Sequence, residues 1–408
     1  MTLTILMSLW LFSLQAQQRY RYRLDFTVGS KDFADTVRIE YEQGQVYVPV
    51  MIDGQQYRFK LDTGSSQGVV YDDTPLKGLR PMGNIYSEDA VGRSRLVTMV
   101  ELPPIRIGGL TLRGYKAALH KRHVRRIGED GIIGFDLLRR MAAKIDLRHQ
   151  RMILTDRKKW LKDEQGIALP YKLVNHTPRI QIEPIEGEMA TVVMDTGSRQ
   201  LLSLNRSWTA ACLAGNEDAR GQVEGRCQGQ MAIGNFGVES ESEVFFLGLR
   251  AVRWGDLQLR DLHCITTQGN SHIGAPLLTY GTLTVNPFMR RLVFQPYDEM
   301  KDMTDGGKPQ GYCQIGNEQL RIAFVPKNGK AMVGLIWERS EAYRQGFRQG
   351  DILEQIDGQK VSFDDFLRFR AVYGQQYLFT LRDRNGVHHT LKAEMPTLER
   401  IKNEKYNQ

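Results

Sequence analysis

The tetrapeptide Asp-Thr-Gly-Ser occurs twice in the chain, once in "FKLDTGSSQGVV" at 59–70 and once in "VVMDTGSRQLLS" at 192–203. Each copy ends an apolar stretch, so Asp62 and Asp195 stand in matching contexts. Two carboxyl groups that meet within a few ångströms cannot both ionise, and they share one proton. The charged member can then activate a water while the protonated member donates to a carbonyl oxygen. Such acid–base chemistry requires neither a metal nor a cofactor, and we expect none.

Longer segments repeat in the same order. The segment "IRIGGLTLR" at 105–113 corresponds to "VRWGDLQLR" at 252–260, and an Ile-Gly-x-x-Leu-Leu motif surrounds both Gly134 and Gly274. The two glycines are 140 residues apart (274 − 134), and the two aspartates are 133 residues apart (195 − 62). Spacings this similar indicate a duplicated lobe whose loops have changed in length.

Each copy is rich in predicted strands. Apolar and polar residues alternate in stretches such as "VYVPVMI" at 46–52 and "RRLVFQP" at 290–296, with Gly, Pro and Asp at the breaks. A period of two is typical of half-buried β-strands. Helical patterning is confined to short pieces such as "FDLLRRM" at 135–141. The sequence therefore predicts a closed or sandwiched antiparallel β fold.

A pseudo-twofold axis between the lobes would bring the two aspartates together, as identical residues meet in a symmetric dimer. The residues after each aspartate then acquire structural roles. We expect Gly64 and Gly197 to allow the tight turn that presents each carboxylate. We expect the hydroxyls of Thr63 and Thr196 to bond the opposite loop and hold the pair rigid.

The double "DTGS" and the segment "GIIGFDLL" at 131–138 resemble the aspartic proteases of pepsin and retroviral type. The similarity covers roughly residues 40–300. It implies a mainly β fold in which two homologous retropepsin-like β-barrel lobes form a pepsin-like bilobal unit. It further implies that Asp62 and Asp195 are the catalytic pair of an aspartic endopeptidase whose substrates are proteins or peptides.

The same resemblance implies a flap hairpin over the cleft and a role for the serine of each loop. The flap candidate is "YSEDAVGRSRL" at 86–96, in which Tyr86 is available to line the cleft and Gly92 is near the tip. The hydroxyls of Ser65 and Ser198 are expected to donate to the outer oxygen of each carboxylate. Because such bonds lower a carboxyl pKa, we expect an acidic working pH.

Two positions break the symmetry of the repeat. The second loop has Arg199 where the first has Ser66, and Pro276 stands where the first lobe has Asp136. An Arg199 side chain that points toward the aspartates would favour their ionised form. That effect would act in the same direction as the serine hydroxyls.

The segment at 329–366 has a different pattern. Within it, "GFRQGDILEQIDG" at 346–358 resembles bacterial-type PDZ domains. The resemblance implies a small α+β domain that holds a C-terminal peptide by strand addition. The preceding "LRIAFVP" at 320–326 lacks the Gly-apolar-Gly-apolar pattern of that family. Two interpretations therefore remain for this domain, capture of a C-terminal peptide ligand and docking onto the lobes.

These features divide the chain into a signal peptide at 1–16, lobes at 17–165 and 166–300, a linker at 301–314 and a PDZ domain at 315–398. The apolar run "LTILMSLWLFSL" near the start has the length of a signal-peptide core and is too short to span a bilayer. We expect an exported protein, periplasmic or extracellular, with no stable membrane insertion.

Two other functions compete with peptide hydrolysis by a carboxyl pair. The segment "GSSQG" at 64–68 fits the Gly-x-Ser-x-Gly motif of serine hydrolases, which needs a helix directly after the serine. The residues that follow, "VVYDD", predict a strand instead. A non-catalytic exported peptide-binding protein with the same fold is the other alternative. Retention of the complete motif in both lobes favours catalysis.

Composition and cysteine spacing add further limits. The 408 residues carry a formal net charge of +8, and we interpret the basic run "HKRHVRR" at 120–126 as solvated. No nucleic-acid-binding signature is present, so no nucleic-acid partner is expected. Cys212 and Cys227 bracket a polar loop and fit either a disulfide or two free thiols. Cys264 is expected in the core and Cys313 in the linker, with no metal-site spacing among the four.

Overall fold

Strands dominate the molecule, and the prediction of a mainly β fold is confirmed. The computed structural model describes residues 20–21, 23–122, 128–161, 164–298, 301–302, 311–317, 321–372 and 374–395. The predicted signal peptide at 1–16 and most of the basic run at 120–126 lie outside the described residues.

The first lobe contains one large curved sheet and three further strands that belong to another sheet. Its strands are β1 Thr27–Val28, β2 Ala34–Arg38, β3 Glu40–Glu42, β4 Gln45–Ile52, β5 Gln55–Leu61, β6 Gly68–Tyr71, β7 Arg80–Glu88, β8 Ser94–Glu101, β9 Ile105–Ile107, β10 Leu110–Arg113, β11 Lys116–His120, β12 Gly131–Ile133, β13 Ala142–Asp146 and β14 Arg151–Thr155. Its helices are α1 Phe135–Leu138 and the 3-10 helix Lys158–Leu161. The curved sheet has the order β1-β10-β9-β4-β5-β12-β6-β11-β8-β7, with β3 beside β4, and the three further strands are β2, β13 and β14.

The second lobe repeats the plan with a closed ring of strands. Its strands are β15 Ile167–Pro170, β16 Lys172–Val174, β17 Thr177–Ile185, β18 Glu188–Asp195, β19 Leu202–Asn205, β20 Val223–Gly229, β21 Ile233–Gly234, β22 Gly237–Val238, β23 Ser242–Trp254, β24 Leu257–Thr267, β25 His272–Gly274, β26 Gly281–Asn286, β27 Arg291–Pro296, β28 Lys301–Asp302 and β29 Tyr312–Gln314. Its helices are α2 Arg206–Gly215, α3 Glu217–Arg220 and the 3-10 helix Ala275–Thr279. The ring runs β23-β17-β18-β25-β19-β24 and closes because β24 pairs again with β23.

The turns of the repeat match in backbone conformation. Gly108, between β9 and β10, and Gly255, between β23 and β24, both have a φ of 58°. This left-handed conformation is costly for residues with a Cβ, so the glycine in each copy of the repeat meets the same geometric demand. The repeat recognised in the sequence is therefore a repeat of structure.

A third sheet joins the lobes. Its order is β15-β27-β26-β13-β14-β2, so three strands come from each half of the chain. At its centre β13 pairs with β26, with Ala143 opposite Val285 and Ile145 opposite Leu283. The buried side chains of these strands belong to one hydrophobic core that runs through both lobes. The lobes are thus fixed relative to each other by backbone pairing and by shared packing.

The C-terminal domain is a separate small sheet with its own core. Its elements are β30 Ile322–Lys327, β31 Lys330–Ile336, α4 Glu341–Arg344, β32 Ile352–Ile356, β33 Gln359–Lys360, α5 Phe363–Arg368, β34 Tyr377–Arg382 and β35 His388–Ala393. The sheet order is β30-β31-β32-β34-β35, with β33 beside β32. The helix α5 begins with a capping box, in which Ser362 and Asp365 satisfy each other's backbone N–H groups.

The C-terminal domain packs onto both lobes. Its residues form a small apolar cluster with the second lobe, made of Val244, Phe246, Ile265, Ala323 and Leu335 with Trp337 at its edge. The backbone N–H of Gln230 donates to the carbonyl of Gly334 at 2.9 Å. On the first lobe, Arg370 pairs with Glu42 at 2.6 Å. The C-terminal domain thus contacts both lobes.

The region between the second lobe and this domain differs from the sequence prediction. Part of the predicted linker at 301–314 forms β28 and β29, and β29 pairs in parallel with β24. Cys313 is therefore a buried strand residue, as is Cys264. Cys212 and Cys227 are free thiols, so the disulfide alternative is wrong. The predicted helix at 135–141 is also shorter, since α1 ends at Leu138.

Candidate active site

Asp62 and Asp195 lie at the ends of equivalent strands. Asp62 directly follows β5, and Asp195 is the last residue of β18. Each strand pairs in parallel with a short strand that carries the Ile-Gly motif, β12 in the first lobe and β25 in the second. The two loops meet between the lobes, where the Asp195 carboxyl lies against Gly64 and the Asp62 carboxyl lies against Gly197. We call this pair the dyad.

The glycines of the Ile-Gly motifs let the chain pass close behind the two loops. A Cβ on Gly134 would overlap the backbone of Gln67, and a Cβ on Gly274 would overlap the carbonyl oxygen of Gln200. Both glycines have ordinary extended φ angles, so their value is the absence of a side chain. The motif therefore supports each loop from behind by direct backbone contact.

Thr63 and Thr196 lock the loops together with reciprocal hydrogen bonds. The backbone N–H of each threonine donates to the hydroxyl of the other at 3.0 Å. The hydroxyl of Thr63 donates to the carbonyl of Met194 at 2.5 Å, and that of Thr196 to the carbonyl of Leu61 at 2.8 Å. Because both threonines are buried, these four bonds hold the dyad geometry without competition from water.

Gly64 and Gly197 lie in the predicted tight turns, which the backbone N–H of Ser65 closes on the Asp62 carbonyl at 3.1 Å and that of Ser198 closes on the Asp195 carbonyl at 3.0 Å. Neither glycine has a positive φ, so the turn conformation alone does not require glycine. Each glycine instead faces the opposite carboxyl group. A Cβ on Gly64 would lie 2.5 Å from Cγ of Asp195, and a Cβ on Gly197 would overlap Cγ of Asp62. Glycine is required because the partner carboxyl occupies the space of a side chain.

The two carboxyl groups are electrically unequal. Desolvation raises the pKa of the Asp195 carboxyl, and the neighbouring Asp62 carboxylate raises it further, from an ordinary 3.8 to about 7. The ammonium of Lys60 lies 3.3 Å from Oδ2 of Asp62. A carboxyl whose pKa is raised this far keeps its proton through the acidic range, which is the condition for a proton-sharing pair.

Lys60 was not singled out from the sequence. Its side chain is 2% exposed, and its backbone lies in β5 between Tyr47 of β4 and Ile132 of β12. Side chains two residues apart in a strand point to the same face, so Lys60 and Asp62 are neighbours. The signal was present in "FKLD" as a lysine at an inward-facing position of a buried strand.

The serine hydroxyls do not bond the dyad, contrary to expectation. The hydroxyl of Ser65 donates to the carbonyl of Gln67 at 2.8 Å, and that of Ser198 contacts the carbonyl of Gln200 at 3.4 Å. Oδ1 of Asp62 instead accepts from the backbone N–H of Ser65 at 2.9 Å. Each serine hydroxyl bonds within its own loop, because the carbonyl oxygen two residues later in the chain is easier to reach than the carboxylate.

Arg199, which stands where the first loop has Ser66, contacts the first lobe. Its guanidinium donates to Oε1 of Gln45 at 3.2 Å. Gln45 is buried, and its amide donates to the carbonyl of Gly197 at 2.8 Å. The first lobe thereby supports the second aspartate loop through one glutamine. No local pattern could have indicated Gln45, because its partner is 152 residues away.

The predicted flap is a hairpin. Strands β7 and β8 pair from Arg80 to Glu101, and the segment at 86–96 includes the tip. Gly92 has a φ of 75° in the tip turn. Tyr86 is 67% exposed and stands opposite Leu96, which is also exposed. The tip thus presents an apolar pair to its surroundings.

The tip of this hairpin contacts the second lobe. The carboxylate of Asp89 accepts from the backbone N–H of Phe236 at 2.8 Å, and Arg93 donates to the carbonyl of Val238 at 2.5 Å. These two residues belong to the β21–β22 hairpin, whose Ile233 packs against the C-terminal domain. The tip of the flap therefore rests on a hairpin of the second lobe that also contacts the C-terminal domain.

The Gly-x-Ser-x-Gly segment lacks the surroundings of a serine nucleophile. The residues from Gly68 to Tyr71 form strand β6, where a nucleophile elbow requires a helix. The serine-hydrolase alternative loses its structural basis. In the described part of the chain, no cluster of three or more His, Cys, Asp or Glu residues could hold a metal ion. Among the helices described, none has the length and apolar character needed to cross a membrane.

The chain is similar to known proteins in sequence and in structure. A family model described as aspartyl protease matches residues 48–137, which include Asp62 and the first Ile-Gly motif. No curated protein matches the chain. The crystal structure of aspartic proteinase from Irpex lacteus is similar with a TM-score of 0.45 and 12% sequence identity, over 65% of this chain and 98% of that one.

Proposed function

We propose that this protein is an aspartic endopeptidase whose catalytic groups are Asp62 and Asp195. The observation that carries the proposal is the pair of carboxyl groups that lie against each other's loops, held between the lobes by Thr63 and Thr196. The match of residues 48–137 to the aspartyl protease family supports the same chemistry. The substrates would be proteins or peptides.

The dyad can carry out hydrolysis with one shared proton. A water oxygen attacks the peptide carbonyl carbon as its proton passes to the ionised carboxylate, while the protonated carboxyl gives its proton to the carbonyl oxygen. In the second step, the newly protonated carboxyl protonates the leaving nitrogen. The other carboxylate recovers its proton from one hydroxyl of the tetrahedral intermediate. Both groups return to their starting states, so one pair supports repeated turnover.

In this proposal the C-terminal domain supports the two lobes by contacting both. We assign it to the PDZ type from the segment at 346–358, and its packing onto the second lobe supports docking as its main role. The Arg370–Glu42 ion pair ties the same domain to the first lobe. The apolar run at 3–14 supports export to the periplasm or the exterior.

The first test is a digest of an unfolded protein at several pH values with each dyad member changed in turn. We expect Asp62→Asn and Asp195→Asn each to lower kcat/KM by about 10²–10⁴-fold, because each removes half of the acid–base pair. Circular dichroism should show that both variants keep the wild-type fold.

Asp62→Asn leaves the buried Lys60 ammonium without its carboxylate, so the double variant Lys60→Met, Asp62→Asn serves as a matched control. It removes the stranded charge and should remain inactive. Near-wild-type turnover in either single variant would refute the shared dyad. A folded wild-type protein that binds peptides without cleaving them would favour the non-catalytic alternative. Inactivation by a serine-directed reagent would favour the serine-hydrolase alternative.

A further inference from the structure

A buried lysine adjoins only one of the two carboxyl groups. Nζ of Lys60 lies 3.3 Å from Oδ2 of Asp62, and the lysine side chain is 2% exposed. The equivalent position in the second lobe, two residues before Asp195, is Val193. The two halves of the dyad therefore have the same backbone support and different charges beside them. Removing an ammonium from water is costly unless a carboxylate compensates, so its position is informative.

We infer that Lys60 is a positioning residue of the dyad, whose ammonium fixes the negative charge on Asp62 and thereby leaves the shared proton on Asp195. This inference rests on the proposed function, since it assigns roles within the same site. An opposite charge at this distance favours the ionised form of a carboxyl group. Desolvation and the Asp62 carboxylate raise the pKa of the Asp195 carboxyl by more than the Lys60 ammonium lowers it, which agrees with this assignment.

The groups that neighbour Lys60 come from β4, β5 and the loop before β12. Across β4, the Tyr47 phenol stays neutral because burial raises its pKa. Arg58 stacks on the Tyr47 ring and is engaged by Glu40 and Glu42 in ion pairs of 2.8 Å. On the loop before β12, the Glu129 carboxylate accepts from a tyrosine hydroxyl. Ile132 of β12, beside the lysine, has no charge.

Around Asp195 the charged groups are directed elsewhere. Arg199 donates to Gln45, as described above. His272 stands beside Val193 in β25, and burial lowers the pKa of its ring, which disfavours its charged form. Lys60 is therefore the cation whose position makes the two carboxyl groups differ in charge.

The assignment gives each aspartate a fixed role. Asp62 takes the proton of the attacking water, and Asp195 donates to the substrate carbonyl oxygen. The roles then reverse in the second step, when Asp62 gives that proton to the leaving nitrogen. Because the ammonium favours the singly protonated dyad over the doubly protonated one, the active form persists to lower pH than it would without Lys60.

The test is the pH profile of kcat/KM for Lys60→Met, with Lys60→Arg as the charge-conserving variant and Val193→Ala as the matched control in the second lobe. We expect the acid limb of Lys60→Met to move upward by about 1–3 pH units. Lys60→Arg should keep the wild-type limb, and Val193→Ala should not move it. An acid limb that stays in place in a folded, active Lys60→Met protein would overturn the inference and leave the proposed function intact.

A second readout does not require activity. In protein labelled with ¹³C at the aspartate carboxyl carbons, the Asp195 resonance is identified by its absence from Asp195→Asn. In Lys60→Met the shared proton is no longer confined to Asp195, so this resonance should titrate in two steps and its midpoint should move. If the wild-type protein hydrolyses nothing, the proposed function fails, and this titration still decides the role of Lys60. An unmoved midpoint would overturn the inference.

Discussion

The loop that carries Asp62 and the loop that carries Asp195 share one framework and differ in the side chains around it. Both have a threonine that bonds the opposite loop and a glycine that faces the opposite carboxyl group. Only the first has a buried lysine beside its aspartate. Symmetry is kept in the residues that set geometry and is absent in those that set charge. A shared proton requires both conditions, since the carboxyl groups must meet closely and must be unequal.

A second difference lies behind the loops. In the first lobe, the buried Asp136 accepts from the hydroxyl of Tyr115 at 2.9 Å. In the second lobe the corresponding residue is Pro276, within the 3-10 helix Ala275–Thr279. The polar pair of the first lobe is replaced by a residue that needs no partner. The lobes thus reach the same loop position with different internal contacts.

The largest expected effect is on stability, and it should have opposite sign in the two lobes. Asp62→Asn leaves the buried Lys60 ammonium unpaired and should cost about 3–5 kcal/mol. For Asp195, the folded-state pKa of about 7 is above the ordinary 3.8, so wild-type stability is lost as pH rises through that window. Asparagine cannot ionise, so Asp195→Asn should gain stability relative to wild type between pH 4 and pH 8.

Urea unfolding at pH 4, 6 and 8 measures this contrast. The Asp195→Asn midpoint should rise relative to wild type with pH, while Asp62→Asn stays below wild type at pH 8. The double variant Lys60→Met, Asp62→Asn should recover part of the loss. Equal losses for the two single variants would show that the lobes are electrically alike.

The next effect should be equal in both lobes. Gly64→Ala and Gly197→Ala each place a methyl group against the opposite carboxyl, so the dyad must separate. A displacement of about 1 Å at reacting groups costs on the order of 10²-fold in rate. Gly215→Ala, at the end of α2 with open space around its Cβ position, is the control and should leave kcat unchanged. Full activity in either dyad variant would mean that the loops adjust without cost.

The smallest effect concerns the serines. Since the hydroxyls of Ser65 and Ser198 bond backbone carbonyls of their own loops, the Ser65→Ala, Ser198→Ala double variant should keep the wild-type pH profile. Loss of the loop contacts should lower kcat/KM only a few-fold, in line with about 1 kcal/mol per hydrogen bond. A profile that moved toward neutral pH would show that the hydroxyls do reach the dyad in solution.

The repeated segments of the sequence were enough to predict the fold class and the carboxyl pair. The two copies of Asp-Thr-Gly-Ser, the Ile-Gly motifs and the period of two led to a mainly β fold with a carboxyl pair between duplicated lobes. The flap hairpin was placed by the family resemblance, on a segment with Gly92 near its tip. These predictions depend on patterns that are short in sequence and repeated.

Other features depend on contacts between distant parts of the chain. Gln45 reaches the second aspartate loop from the first lobe, and the added strand Tyr312–Gln314 pairs with β24 beyond the predicted lobe boundary. The hydrogen bonds of the serine hydroxyls were predicted wrongly. Each hydroxyl could bond either the carboxylate or a carbonyl of its own loop, and the local backbone geometry that decides between them cannot be read from the sequence. Lys60 is the intermediate case, since its spacing from Asp62 was visible and its burial was not.

The reciprocal threonine bonds have a consequence for the order of events during synthesis. Thr63 leaves the ribosome 133 residues before Thr196, and β13 is made well before its partner β26. Through that interval the first loop has neither the hydroxyl nor the neighbouring strand that fixes it. A nascent chain therefore holds a solitary carboxylate with no partner for its proton. The chemistry begins in one late step, when both halves of the polypeptide have been made and have met.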